Sequence, residues 1–302
     1  MNNKSCLVIL GPTAVGKTPL AITLAKHFNT QIISADSRQC YKELNIGVAK
    51  PSPKELGKVK HYFIDSHSIQ EDVNAKIFET YALKAADTIF TKYDVTIMVG
   101  GTGLYIKAFC DGIDEIPVID SDIKKNIISN LQTSGIGWLQ NELEKNDPLY
   151  FKKGEIQNPH RLMRALEVKL STGKSIIQFQ TQQKKKRHFS IIKIGLELPK
   201  EQLHQNINHR VDGMMRNGLL EEVGSLYSYK HLSALQTVGY KELFDHLELK
   251  ISLEEAIEKI KINTRQYAKR QMTWFKKDKD VRWVSPTNAL SFLDKDFQSL
   301  LK

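Results

Sequence analysis

Apolar positions in the first hundred residues fall into two rhythms that take turns along the chain. Short unbroken runs, Cys6–Leu10, Gln31–Ala35 and Val95–Val99, read as buried strands, the last stopping at Gly100 and Gly101. Between them, Lys17–His27 sets Leu20, Ala21, Leu24 and Ala25 on one face of a helix, and Ala75–Phe90 reads as another. Strand and helix in alternation predict a parallel sheet covered on both faces.

From about Gly112 to about His188 the strand rhythm stops. Ile123, Ile127, Ile128 and Leu131 mark one helix, Trp138–Leu143 a second and Pro159–Leu170 a third. Asn158 and Pro159 form an N-cap and first-turn pair for the last of these, and Gly173 stands just past its far end. Alternation returns at Ile192, Ile194, Leu196 and Leu198, with Lys193 and Glu197 on the other face, and the remainder is mainly helical and charged. We therefore expect a core made of residues 1–111 and 189–302, interrupted by a helical insertion at 112–188. Gln182–Arg187 is a short polar and basic run of which Lys184–Arg187 reads as a solvated linker, and there is no internal repeat.

Gly11-Pro12-Thr13-Ala14-Val15-Gly16-Lys17-Thr18 fits G-x-x-x-x-G-K-[ST] and sits between a strand and a helix, where that pattern has meaning. Its backbone N–H groups and the helix N-terminus converge on phosphate oxygens, Lys17 adds a full charge, and Thr18 is placed to ligate Mg²⁺. A phosphate cradle does not say which bond breaks. A motor or switch ATPase carries a second acid at the end of a later strand, whereas Val95–Val99 runs into Gly100-Gly101-Thr102-Gly103 without one. The carboxylate in a comparable place is Asp36, just past the strand Gln31–Ala35, where it reads either as a base or as a turn former with Ser37.

Charge adds a direction. Lys and Arg outnumber Asp and Glu by 44 to 34, a net charge of +10, which favours a polyanionic partner. Lys261, Arg265 and Lys269 recur every four residues, with Tyr267, Arg270, Trp274, Lys276 and Lys277 nearby, as on a surface tracking a nucleic-acid backbone. Tyr267 and Trp274 belong either to that surface or to the core, where aromatics at helical spacing usually pack. The cysteines, Cys6, Cys40 and Cys110, match neither a disulfide framework nor a zinc spacing, and no long apolar segment stands out, so we expect a cytoplasmic protein with no membrane partner.

Six segments together, GPTAVGKT (Gly11–Thr18), ISADSRQCYKELNIGVAKP (Ile33–Pro51), VGGTGLY (Val99–Tyr105), NPHRLMRALEV (Asn158–Val168), TVGYKE (Thr237–Glu242) and TRQYAKRQMTWF (Thr264–Phe275), resemble the tRNA dimethylallyltransferase family. The resemblance implies an α/β fold: a nucleoside-kinase-like P-loop core with a helical insertion and a helical C-terminal part. It implies an enzyme that moves a dimethylallyl group from dimethylallyl diphosphate to N6 of the adenine 3′ of the anticodon in tRNA, releasing diphosphate, with Mg²⁺ as cofactor.

Carried over by position, Thr13–Thr18 should hold the diphosphate, Asp36 should act as general base, Thr102 should lie near the adenine, and Arg210 should face the diphosphate. Contacts to the anticodon stem-loop should come from Asp36, Ser37, Arg38 and Gln39, from Thr102, from His160, Arg161, Leu162, Met163 and Arg164, and from Gln236, Thr237, Val238, Gly239, Tyr240 and Lys241. Arg210 also neighbours the helical stripe Leu203, Ile207, Val211 and Met214, so a merely solvated role is open to it. We expect a monomer. The competing readings are a P-loop kinase of a small molecule, a prenyltransferase acting on a free adenine nucleotide, and an RNA-binding protein without catalysis.

Overall fold

The computed structural model describes residues 4–181 and 183–289. Gln182, the first residue of the basic run, lies outside them. The chain divides into two compact units, one of residues up to Gly112 and from Lys185 onward, the other Ile113–Lys184.

The first unit is built on six strands: β1 (Ser5–Leu10), β2 (Ile32–Ala35), β3 (His61–Tyr62), β4 (Val95–Gly100), β5 (Ser190–Leu196) and β6 (Val281–Val284). Their order is β3-β2-β4-β1-β5-β6 and every pairing is parallel. The helices are α1 (Lys17–His27), α2 (Pro53–Leu56), α3 (Ala75–Phe90) and α4 (Gly103–Asp111) before the break in this unit. The second unit carries α5 (Ser121–Asn146), α6 (Pro148–Lys153) and α7 (Pro159–Thr172), and α8 (Lys200–Arg216), α9 (Leu219–Ser225), α10 (Tyr240–Leu247) and α11 (Leu253–Phe275) complete the first.

The unbroken apolar runs follow from burial. Every residue of β1, β2 and β4 is buried, so neither face of these central strands meets water. The same geometry covers the face of β5 that carries Lys193. That residue is buried in β5 and its ammonium donates to Asp278 Oδ2 at 2.6 Å, because a covered parallel sheet has no wet side for it to point to. Arg187 likewise is no solvated linker residue. Its guanidinium is largely buried and donates to Phe109 O and Ala108 O, both at 2.8 Å, and to Glu79 Oε1 at 2.9 Å, tying the start of β5 to α3 and α4.

In the helical unit, α7 begins as its sequence demands. Asn158 Oδ1 accepts from His160 N–H at 3.1 Å and Arg161 N–H at 3.3 Å, Pro159 fills the first turn, and Gly173 closes the helix at φ 73°. The two helices expected around Ile123 and Trp138 both lie within α5, separated by a kink at Gly135, whose φ is 69°. Leu139, Leu143, Leu162, Ala165 and Leu166 give this unit its own apolar core.

Candidate active site

Register brings the chemistry together. Leu10 of β1 and Ala35 of β2 both pair with Gly100 of β4, so Gly11, Asp36 and Gly101, the residues that follow, leave the sheet side by side at its carboxyl end. A cleft of about 450 Å³ opens there, lined by Thr13, Lys17, Thr18, Asp36 and Arg210 among others. On one side the phosphate loop runs from β1 into α1, with Gly16 at φ 99° as the N-cap and no side chain capping the first helical turn. The free N–H groups of that turn therefore point at whatever occupies the loop.

Lys17 donates from Nζ to Pro12 O at 2.6 Å. Burial first, and the nearby Arg210 second, push its pKa down to about 7, while Asp36 pulls the other way. Arg210, on α8, donates to Thr13 Oγ1 at 3.2 Å. Crowding by protein lowers its pKa too, opposed by Asp36, although the side chain still reaches solvent in the open cleft. Two basic side chains thus face one loop, each disfavoured as a cation by burial and favoured by Asp36, an arrangement that a multiply charged anion would complete.

Across the cleft, Asp36 Oδ1 accepts from Arg38 N–H at 2.9 Å and Gln39 N–H at 3.3 Å, so the turn-forming and catalytic readings of this residue are compatible. Thr102 Oγ1 accepts from Ser37 N–H at 3.0 Å and lies 3.3 Å from Ser37 Oγ, which joins the end of β4 to the turn after β2. Tyr267, from α11, also lines the cleft, and its pKa is pushed up to about 12 by burial of the hydroxyl and by the charge of Asp36. With 37% of Tyr267 and 40% of Trp274 exposed, neither is the core aromatic that helical spacing suggests.

The glycine run after β4 has a steric cause. A Cβ on Gly100 would lie 2.2 Å from Ala35 O, one on Gly101 2.2 Å from Gln271 Nε2, and one on Gly103 2.2 Å from the Trp274 ring. Gln271 is a residue sequence reasoning missed. Buried under the loop, its Oε1 accepts Thr13 N–H at 2.8 Å and its Nε2 donates to Gly101 O at 2.9 Å. The Thr13 amide is therefore already engaged by the protein itself.

Other expected contact residues are employed elsewhere. Gln39 Nε2 donates to Val48 O at 3.3 Å and Ala49 O at 3.1 Å, and its Oε1 accepts from Ser34 Oγ at 3.2 Å, so its amide braces a loop. Leu162 is fully buried in the core of the helical unit and has no side-chain surface to offer RNA. Arg164 is not a free cation, since it lies 3.4 Å from Glu167 Oε2, whereas His160 and Arg161 are exposed and Met163 is half-buried. Tyr240 is fully buried, its hydroxyl donating to Glu222 Oε1 at 2.5 Å, because its ring packs beneath Gly47. Thr237, Val238 and Gly239 line the cleft, and Gln236 and Lys241 are exposed. On α11, Lys261 pairs with Asp212 at 3.0 Å and Arg265 donates to Asn208 Oδ1 at 2.7 Å, which leaves Lys269 and Arg270 as exposed cations of that stripe.

Among the described residues no group of three or more His, Cys, Asp or Glu could cage a metal. The Thr18 hydroxyl at the cleft suits the other way of holding Mg²⁺, shared between one or two protein oxygens and substrate phosphates. Among the described residues no helix is long and apolar enough to cross a membrane.

A P-loop at a parallel sheet's carboxyl end, with the carboxylate of Asp36 across the cleft, is the arrangement of a group transferase that handles a phosphorylated donor. Comparison with known proteins gives the family. The IPP transferase family model matches residues 39–278. The chain is 50% identical over 275 residues to a tRNA dimethylallyltransferase of Christiangramia forsetii, covering 91% of each chain. It is 44% identical to tRNA dimethylallyltransferase 1 of Bacteroides thetaiotaomicron, over 95% of this chain and 94% of the relative. Among solved structures, tRNA isopentenylpyrophosphate transferase from Bacillus halodurans is 32% identical at a TM-score of 0.72, covering 99% of this chain and 97% of that one. A eukaryotic dimethylallyltransferase acting on tRNA is 28% identical at a TM-score of 0.81, over 98% of this chain and 80% of that one. The chain belongs to the IPP transferase family.

Proposed function

We propose that this enzyme transfers the dimethylallyl group of dimethylallyl diphosphate to N6 of the adenine 3′ of the anticodon in tRNA. The observation that carries the reading is one cleft with two basic side chains and a phosphate loop on one side and an acceptor carboxylate, Asp36, on the other. Breaking the allylic C–O bond builds negative charge on the departing diphosphate, and Lys17, Arg210 and the loop N–H groups meet that charge. N6 forms the new C–N bond to the allylic carbon and gives its proton to Asp36, while the electron pair of the broken bond leaves with the diphosphate. Thr18 would help to hold Mg²⁺, which when bound would supply further neutralisation of the leaving group.

The adenine must leave its stack to enter the cleft, which an anticodon loop permits at lower cost than a duplex. Exposed His160 and Arg161 on α7, Arg38 beside the cleft and Lys269 and Arg270 on α11 are the groups we assign to RNA contact. We propose a monomeric enzyme in a reducing cytoplasm, the compartment supported by three free, buried cysteines. Diphosphate release that requires both dimethylallyl diphosphate and unmodified tRNA is the expected result. Brisk ATP consumption without RNA, or equal transfer to AMP, would replace this reading with a kinase or a nucleotide prenyltransferase.

A further inference from the structure

Gly47, Val48, Ala49, Lys50 and Pro51 form one wall of the cleft, yet none belongs to a helix or strand. A loop keeps such a shape only if its backbone polar groups find partners elsewhere. Here the Ala49 and Lys50 N–H groups return to Ile46 O and Asn45 O within the turn, while the three N–H groups at its start share one carboxylate. Glu222, on α9, accepts Asn45 N–H at 3.1 Å and Ile46 N–H at 2.8 Å on Oε2, and Gly47 N–H at 3.1 Å on Oε1. Tyr240, at the start of α10, donates its hydroxyl to the same Oε1. Its ring is the floor under the turn, since a Cβ on Gly47 would fall 2.6 Å from it. The carbonyl side is braced separately by the Gln39 amide. Burial and the adjoining carboxylate hold the Tyr240 hydroxyl well above its ordinary pKa, so it remains a donor through the working range.

Neither Glu222 nor Tyr240 lines the cleft, so both act on it through the turn. The wall they hold is apolar at Val48, Ala49 and Pro51, and the cleft also takes Val211, Met214 and Val238, while the anion grips lie in the phosphate loop. We propose that Glu222 and Tyr240 are positioning residues that hold the 45–51 turn at the distance that fits a five-carbon chain and disfavours a longer one. This rests on the prenyl-transfer reading above.

The test uses Tyr240→Phe, which removes the donor and keeps the ring, Glu222→Gln, which turns an acceptor into a donor facing N–H or O–H groups, and the double variant. Four readings are taken: thermal midpoint, affinity for inorganic diphosphate, the extra affinity that the five-carbon tail of dimethylallyl diphosphate adds, and kcat/KM for dimethylallyl against geranyl diphosphate with tRNA as acceptor. We expect inorganic diphosphate affinity to stay within about threefold, and the tail's added affinity and the five-over-ten-carbon preference each to fall about tenfold, as loss of a charge-assisted hydrogen bond implies. The double variant should be no worse than the worse single. An unchanged preference at an intact thermal midpoint overturns the inference, as does a parallel loss of inorganic diphosphate affinity, which marks a merely structural role. Should Glu222→Gln fail to fold, Tyr240→Phe, which loses one bond and no ring, carries the test. A wild type that transfers no prenyl group overturns the functional reading instead, and tail affinity then still reports on this one.

Discussion

Asp36 has two duties at one carboxyl group, and the two can be separated. Its Oδ1 fixes the turn by accepting two backbone N–H groups, a duty that Asn performs equally well. Asp36→Asn should therefore keep the fold and substrate affinity while kcat falls about 10²- to 10⁴-fold, the contribution of a positioned base. Single-turnover rates check this, and a rate within threefold of wild type would assign the proton elsewhere. Lys17→Ala should lower kcat about 10²- to 10³-fold, as removal of one preorganised donor from a leaving group does. Both residues were legible in the sequence, Asp36 because it directly follows β2 and Lys17 because it closes the loop motif between β1 and α1. Gln271 was not, since its partners Thr13 and Gly101 lie 258 and 170 positions away and nothing local distinguishes its amide. Glu222 was hidden for the same reason, and Tyr240 and Gln39 were read as RNA contacts because a motif names a residue without saying which way its side chain turns.

At the scale of elements, continuous apolar runs were enough to find β1, β2 and β4, and the alternation at Ile192 found β5. The two-residue β3 and the four-residue β6, its apolar run interrupted by Arg282, are too short to show a strand rhythm, and they border the sheet. Alternation at Lys193 marks a second face and not solvent, because a polar residue in a strand implies solvent only when one face of the sheet is wet. Arg187 shows how much such a buried cation matters. Removing it by Arg187→Met leaves Glu79, only 3% exposed, without its buried partner, and should cost about 3–5 kcal/mol at neutral pH in urea unfolding. Burial raises the Glu79 pKa, but the Arg187 and Lys76 hydrogen bonds outweigh it and hold the carboxyl below its ordinary value. Its stabilising share is therefore complete above that ordinary value, about 4.3, and is lost as pH falls through the lower folded value. The wild type should lose this share in acid, and the gap between wild type and Arg187→Met should close there. A gap that stays constant with pH would remove Glu79 from the account.

For the whole molecule, the excess of Lys and Arg favoured a polyanion before any motif was considered, and the structure shows which part of that excess is free to act. Lys261 and Arg265 are engaged with α8, whereas Lys269, Arg270 and Lys277 are exposed. Binding of tRNA should weaken steeply with salt, on the order of 10³-fold between about 50 and 200 mM for six phosphate contacts. Replacing both Lys269 and Arg270 with Gln should flatten that slope by about two contacts with little effect on inorganic diphosphate affinity. A slope unchanged by the pair would move the RNA footprint off α11.

The central claim joins a phosphate loop, an acceptor carboxylate and an RNA base in one cleft, and it is tested most directly by mass analysis of nucleosides from unmodified tRNA incubated with the enzyme, dimethylallyl diphosphate and Mg²⁺. The account predicts one adenosine per tRNA heavier by a single five-carbon unit, next to the anticodon on its 3′ side, with Asp36→Asn leaving it almost wholly unmodified. An unaltered adenosine with the wild-type enzyme, or the same gain with Asp36→Asn, would contradict it.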